Sequence, residues 1–227
     1  MAETLTTPHD EDTESGGLVT YAQAANQPLG HILRGMQLTG HRKWGFLVYR
    51  TTYSPSSQAR FDAYIAVLRS HITFALEVHG YGTDSVLSRS FDLTLIEDPV
   101  TLDGASKPTV QRIFREWVTS RSVERDGPGV NFGDAGGKDL KALVPRYRMC
   151  LFVDEECLRS IEVVHPRTGR NRKTSHRAVV IDVDEQREER CWMWLCLVTT
   201  VGLYQEACWR GWDLLWRDPA RGEVFNS

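Results

Sequence analysis

The segment WGFLVYRTTY, residues 44–53, runs directly into SPSSQARFDAYIAVLRSHI. A β pattern joined with almost no linker to a helical one leaves few folds open. Aromatic and β-branched residues crowd the first part and predict a strand over residues 45–53. Positions 46–49 are all apolar, the mark of a strand covered on both faces. Tyr49, Thr51 and Tyr53 share one face, and Arg50 and Thr52 the other. Ser54 suits a helix N-cap and Pro55 a first helical position. Phe61, Ile65, Leu68 and Ile72 then recur at helical spacing, which predicts an amphipathic helix over residues 55–77 that Gly80 can end.

The same alternation continues. SFDLTLIED predicts a half-buried strand, and Val110, Ile113, Phe114, Trp117 and Val118 a second amphipathic helix. Residues 125–139 are glycine-rich and polar and read as a long loop. A strand over 147–153, a short helix from Asp154, a strand AVVIDVD, a strand over 191–198 and a closing helix LYQEACWRGWDLLW complete the series. The expected fold is α+β: a mixed or antiparallel sheet of about five strands, helices on one face, and a ferredoxin-like core with additions. Residues 1–40 read as a flexible tail with at most a short helical turn or strap, and 41–227 as one domain. The tail is acidic: residues 1–16 hold five carboxylates and no Lys or Arg.

Composition bears on function mainly by exclusion. A net charge of -3 gives no global basic field, so nucleic acid is not the expected partner. No run of about 18 apolar residues speaks for a membrane span, and no basic-then-apolar leader for secretion. Five cysteines without a CxxC pair suit reduced thiols in a cytoplasmic protein.

Several residues carry chemistry that could be functional. In RYRMCLFVDEECLRS a strand ends in Asp154, Glu155, Glu156 and Cys157. Asp154 can cap the following helix and the glutamates can oppose its dipole, which uses every acid without catalysis. The functional alternative makes Asp154 or Glu155 an acid/base group at a strand end. Arg50 in an apolar strand needs an anion: a carboxylate such as Asp92 or Asp182, or a ligand held with Tyr49 and Tyr53. His71 adds a titratable group to the catalytic candidates, and Trp194 an aromatic wall to the ligand-binding ones. No HxH, HxxxH, GxSxG, P-loop or GxGxxG motif is present, and neither a metal nor a cofactor is expected. The basic segment 167–177 lacks interleaved aromatics and reads as a solvated loop. Five of seven tryptophans fall in the last 36 residues, as a core seam, a pocket wall or a homodimer surface.

The motifs WGFLVYRTTY, RFDAYIAVLR and RYRMCLFVDEECLRS together resemble an uncharacterised family of intracellular α+β proteins from filamentous ascomycete fungi. The similarity spans residue 44 to the C-terminus and implies a small α+β protein, with no reaction to carry over. On the residues alone, the chain is expected to bind a small molecule or a protein partner. The alternatives are a cofactor-independent enzyme with a small aromatic pocket, or a self-associating protein. The motifs do not decide between enzyme and binder.

Overall fold

A computed structural model describes residues 20–120, 128–129, 143–162, 176–184 and 190–226. The acidic stretch 1–16, most of 125–139 and nearly all of 167–177 lie outside the described residues. The elements in chain order are α1 (Tyr21–Asn26), α2 (Gly30–Thr39), β1 (Leu47–Arg50), α3 (Ser57–Val78), α4 (Val86–Ser90), β2 (Thr94–Ile96), α5 (Pro99–Leu102) and α6 (Lys107–Thr119). There follow β3 (Met149–Val153), α7 (Glu155–Ser160), β4 (Arg177–Asp182), β5 (Trp192–Cys196), α8 (Thr200–Ala207), α9 (Trp212–Leu215) and β6 (Val224–Phe225).

The strands form one mixed sheet of six, in the order β2-β1-β3-β4-β5-β6. β1 runs parallel to both β2 and β3, β4 is antiparallel to β3 and β5, and β6 is parallel to β5. The sixth strand is Val224–Phe225, two residues too short to announce themselves by alternation. Three parallel strands in the order β2-β1-β3 lend no support to a ferredoxin-like core. They match the start of a doubly wound sheet.

That order also decides where the helices go. The chain steps from β1 to β2 in one direction across the sheet and from β2 to β3 in the other. Parallel crossovers are right-handed almost without exception, so the two connecting helices must lie on opposite faces. The contacts agree. Arg50 stacks on Phe61 of α3, while its neighbour Tyr49 meets Phe114 of α6 edge-on. The expectation of helices on one face is therefore corrected. α8 joins α3 on its side, its Tyr204 packing edge-on against Phe46 of the β1 approach. Burial of β1, β3 and β4 on both faces follows from this sandwich.

Among the described residues, packed helices are present from Tyr21 on, ahead of the boundary at 41 expected for the domain. A capping box of Thr20 and Gln23 starts α1. Leu29 and Ile32 belong to the core, and α2 lies against α8.

Candidate functional site

β1, β2 and β3 all end at one edge of the sheet, at Arg50, Ile96 and Val153. The strand order reverses between β1 and β3, and open α/β sheets take ligands outside such carboxyl ends. Arg50, Tyr53, Asp154 and Glu155, all singled out in the sequence, stand at this edge.

Arg50 is 3% exposed and heavily engaged. Its Nε donates to Thr52 O at 2.9 Å, Nη1 to Gln58 Oε1 at 2.6 Å and Glu97 Oε1 at 2.9 Å, and Nη2 to Ser57 Oγ at 2.9 Å. Its guanidinium lies 4.6 Å from the Tyr53 ring centre and 4.8 Å from that of Phe61. Four of the five N–H groups a guanidinium carries are thus used. The ion-pair partner is Glu97, just past β2. Asp92 is held instead by Arg146 at 2.9 Å, and Asp182 lies two strands away on β4. Tyr53 completes the same knot. Its hydroxyl donates to Arg50 O and accepts from Asp98 N–H, and its own N–H donates to Asp103 Oδ1. Burial, chiefly, raises the Tyr53 hydroxyl pKa, so it stays a neutral donor. Thr51 closes the gap to β3 by donating its N–H and hydroxyl to Val153 O.

Asp154 is the N-cap of α7, accepting from Cys157 N–H at 3.0 Å. Glu155 bonds to Arg60 at 2.7 Å and Arg159 at 3.1 Å, and Arg60 also pairs with Glu162. The Arg60 hydrogen bond leads the causes that hold the Glu155 carboxyl below its ordinary range. A group held ionised in this way is a poor general acid.

Tyr49 is fully buried on the α6 face, while Arg50 and His71 belong to the α3 side. The structure therefore does not bring Tyr49, Arg50 and His71 to one pocket. His71 Nε2 instead faces His176 Nδ1 at 3.5 Å, with the rings tilted by 51°. All five cysteines are buried, and burial pushes up the thiols of Cys150, Cys157, Cys196 and Cys208. Among the described residues no three His, Cys, Asp or Glu converge as a metal cluster, and no helix is long and apolar enough to cross a membrane.

The α6 face holds a different grouping. Register puts Tyr49, Phe152, Val179 and Trp194 in one row across β1, β3, β4 and β5. The row is topped by cations. Arg177 lies 5.1 Å from the Trp194 ring centre. Lys107 Nζ lies 4.3 Å from that of Trp192 and 5.3 Å from that of Phe152. Trp192 meets Trp194 edge-on at 5.8 Å, and Trp216 Nε1 donates to Trp192 O. Among the described residues Lys107 has no carboxylate partner, and Arg177 reaches Glu156 only at 3.6 Å. A positive charge held over a ring face keeps its charge available to an incoming anion. Of these residues sequence reasoning found Trp194 and missed Lys107. The available signal was a lone lysine immediately ahead of the second amphipathic helix. Of the tryptophans that would mark a homodimer surface, Trp212 is 1% exposed, whereas Trp209 is 41% exposed and stacks on His31.

Comparisons with protein-family models, with curated proteins and with solved structures each find no match to this chain.

Proposed function

We propose that the chain is a binding protein for a small organic anion with an apolar or aromatic body, held on the α6 face beside the β1/β3 edge. The observation that carries this reading is the placement of Lys107 and Arg177 over Trp192, Phe152 and Trp194. The anionic group would meet Lys107 Nζ and the Arg177 guanidinium. The ligand's body would lie along Trp192 and Phe152. The topology supports it independently, since α6 starts at the carboxyl ends of the parallel strands, where such sheets take ligands. Binding rather than catalysis is favoured because Asp154, Glu155 and Arg50 are already committed to a cap, an ion network and the β1 edge. Five buried cysteines outside disulfides support a reducing, cytoplasmic setting.

The test is calorimetric titration of the whole chain with 2-naphthoate and AMP, against uncharged 2-naphthamide and adenosine. At least one anion should bind saturably and its neutral counterpart on the order of tenfold more weakly, the worth of a charged hydrogen bond. Lys107→Met should weaken the anion by a similar factor. If neither anion binds, and native mass spectrometry of freshly purified protein shows no retained ligand, the reading falls.

A further inference from the structure

On the α3 side of the sheet, His71 and His176 bring two imidazoles nitrogen to nitrogen. His71 sits about two-thirds along α3, and His176 immediately precedes β4. Both are partly buried, so solvent and small ions reach them. Nε2 of one faces Nδ1 of the other at 3.5 Å. That is longer than the roughly 2.7–3.2 Å of an ordinary N–H hydrogen bond. It is close to the roughly 3.3–3.4 Å that separates two nitrogens on one tetrahedral zinc ion, given metal–nitrogen bonds of about 2.0–2.1 Å. The ring centres are 5.8 Å apart and the planes tilted by 51°, so ring nitrogens meet here and not ring faces. Two neutral imidazoles offer the donors that first-row divalent ions prefer.

We infer that His71 and His176 form a two-imidazole site for a divalent transition ion, zinc in the first instance, that ties α3 to the start of β4. The pair fills two positions of a tetrahedral ion and leaves two for water or another ligand. The backbone around it is already fixed. Leu197 N–H donates to His176 O at 2.9 Å, and Tyr64 of α3 donates its hydroxyl to Arg177 O at 2.9 Å. The two rings are therefore held near each other before any ion arrives, which lowers the cost of ordering them on binding.

The experiment is titration of the untagged full-length chain with zinc alone, followed by calorimetry. Wild type should take up one equivalent. His71→Gln and His176→Gln should each abolish that uptake, and His79→Gln, altering an exposed histidine at the end of the same helix, should retain it. Cobalt should give visible absorption that zinc displaces. No stoichiometric uptake by wild type, or uptake that survives both pair variants, overturns the inference. Should a variant fail to fold by circular dichroism, the imidazole proton resonances of wild type decide. At least two histidines must shift in step as zinc is added, and a single shift or none overturns the site.

Discussion

Arg50 shows how far one residue can be read in isolation. An arginine in an apolar strand must find an anion, and that much is legible from WGFLVYR alone. Which anion is not legible, because the choice depends on which strand lies next to β1. Glu97 supplies it, with Ser57, Gln58 and the Thr52 carbonyl taking the other donors. The arrangement is asymmetric: the Arg50 side chain is 3% exposed and that of Glu97 38%. Arg50→Lys, which cannot reproduce the planar fork, should therefore destabilise by about 2–3 kcal/mol. Glu97→Gln should cost less than about 1 kcal/mol, since water screens that partner. Urea unfolding of both variants checks the order, and equal costs would contradict it. His31 gives a pH-dependent counterpart. Burial first, then the charge of Arg34, lowers its imidazole pKa against an opposing pull from Glu206. The folded value thus lies below the unfolded value of about 6.5. Above that value His31 leaves stability unchanged. As pH falls through it, the unfolded chain takes up the proton first and stability declines. The urea midpoint should fall more for wild type than for His31→Gln between about pH 7.5 and pH 5.5. An equal fall in both would show that His31 does not titrate in this way.

At the scale of elements, the long helix, the Asp154 cap and the central strands were readable because each rests on local chemistry. α7 begins at Asp154, with Glu155 and Glu156 in its first turn, for the capping and dipole reasons evident in the sequence. Strand order was not readable. Which strands β1 meets, and that it runs parallel to both β2 and β3, depends on pairing between segments far apart in the chain, which no single segment records. The closing helix was read as one piece but divides into α8 and α9 at Gly211, where the apolar stripe itself does not break. α2 falls in a stretch read as at most a short helical turn or strap, because its apolar residues find their cover on α8, far away in the chain. The join between β1 and β2 rests on one glycine. Gly45 has a φ of 117°, and a Cβ there would overlap the Asp92 carbonyl oxygen. Asp92 N–H in turn donates to Trp44 O at 2.8 Å. Gly45→Ala should therefore separate the two strands where they enter the sheet. The expected loss is about 2 kcal/mol or more, from strained backbone plus displaced pairing. A variant with an unchanged melting temperature would mean that Gly45 can relax to an ordinary conformation at no cost.

Across the whole molecule, the five cysteines report on how tightly the layers close. They occupy β3, α7, β5 with its approach, and the end of α8, so together they sample both faces of the sheet. Burial raises the thiol pKa of Cys150 and Cys157, which are 0% exposed, and of Cys208 at 2%. A thiol must ionise and be reached before it can attack a disulfide reagent, and both conditions are denied here. The folded chain should therefore show almost no reaction with 5,5′-dithiobis(2-nitrobenzoate) at about pH 8, and all five thiols should react once urea unfolds it. Where opening is fast relative to labelling, the residual rate measures the free energy of the opening that exposes each thiol. Cys150 in β3 lies between β1 and β4, and Cys157 is packed beneath α3. Both need the central sheet to open, and they should react last, at the rate of global unfolding. Cys191 precedes β5 and Cys196 ends it, and the outer neighbour of β5 is only the two-residue β6, so they should react earlier. If Cys150 reacts as fast as Cys196, one opening exposes both thiols: the sheet then opens as a single cooperative unit, and β5 with β6 does not loosen ahead of β3.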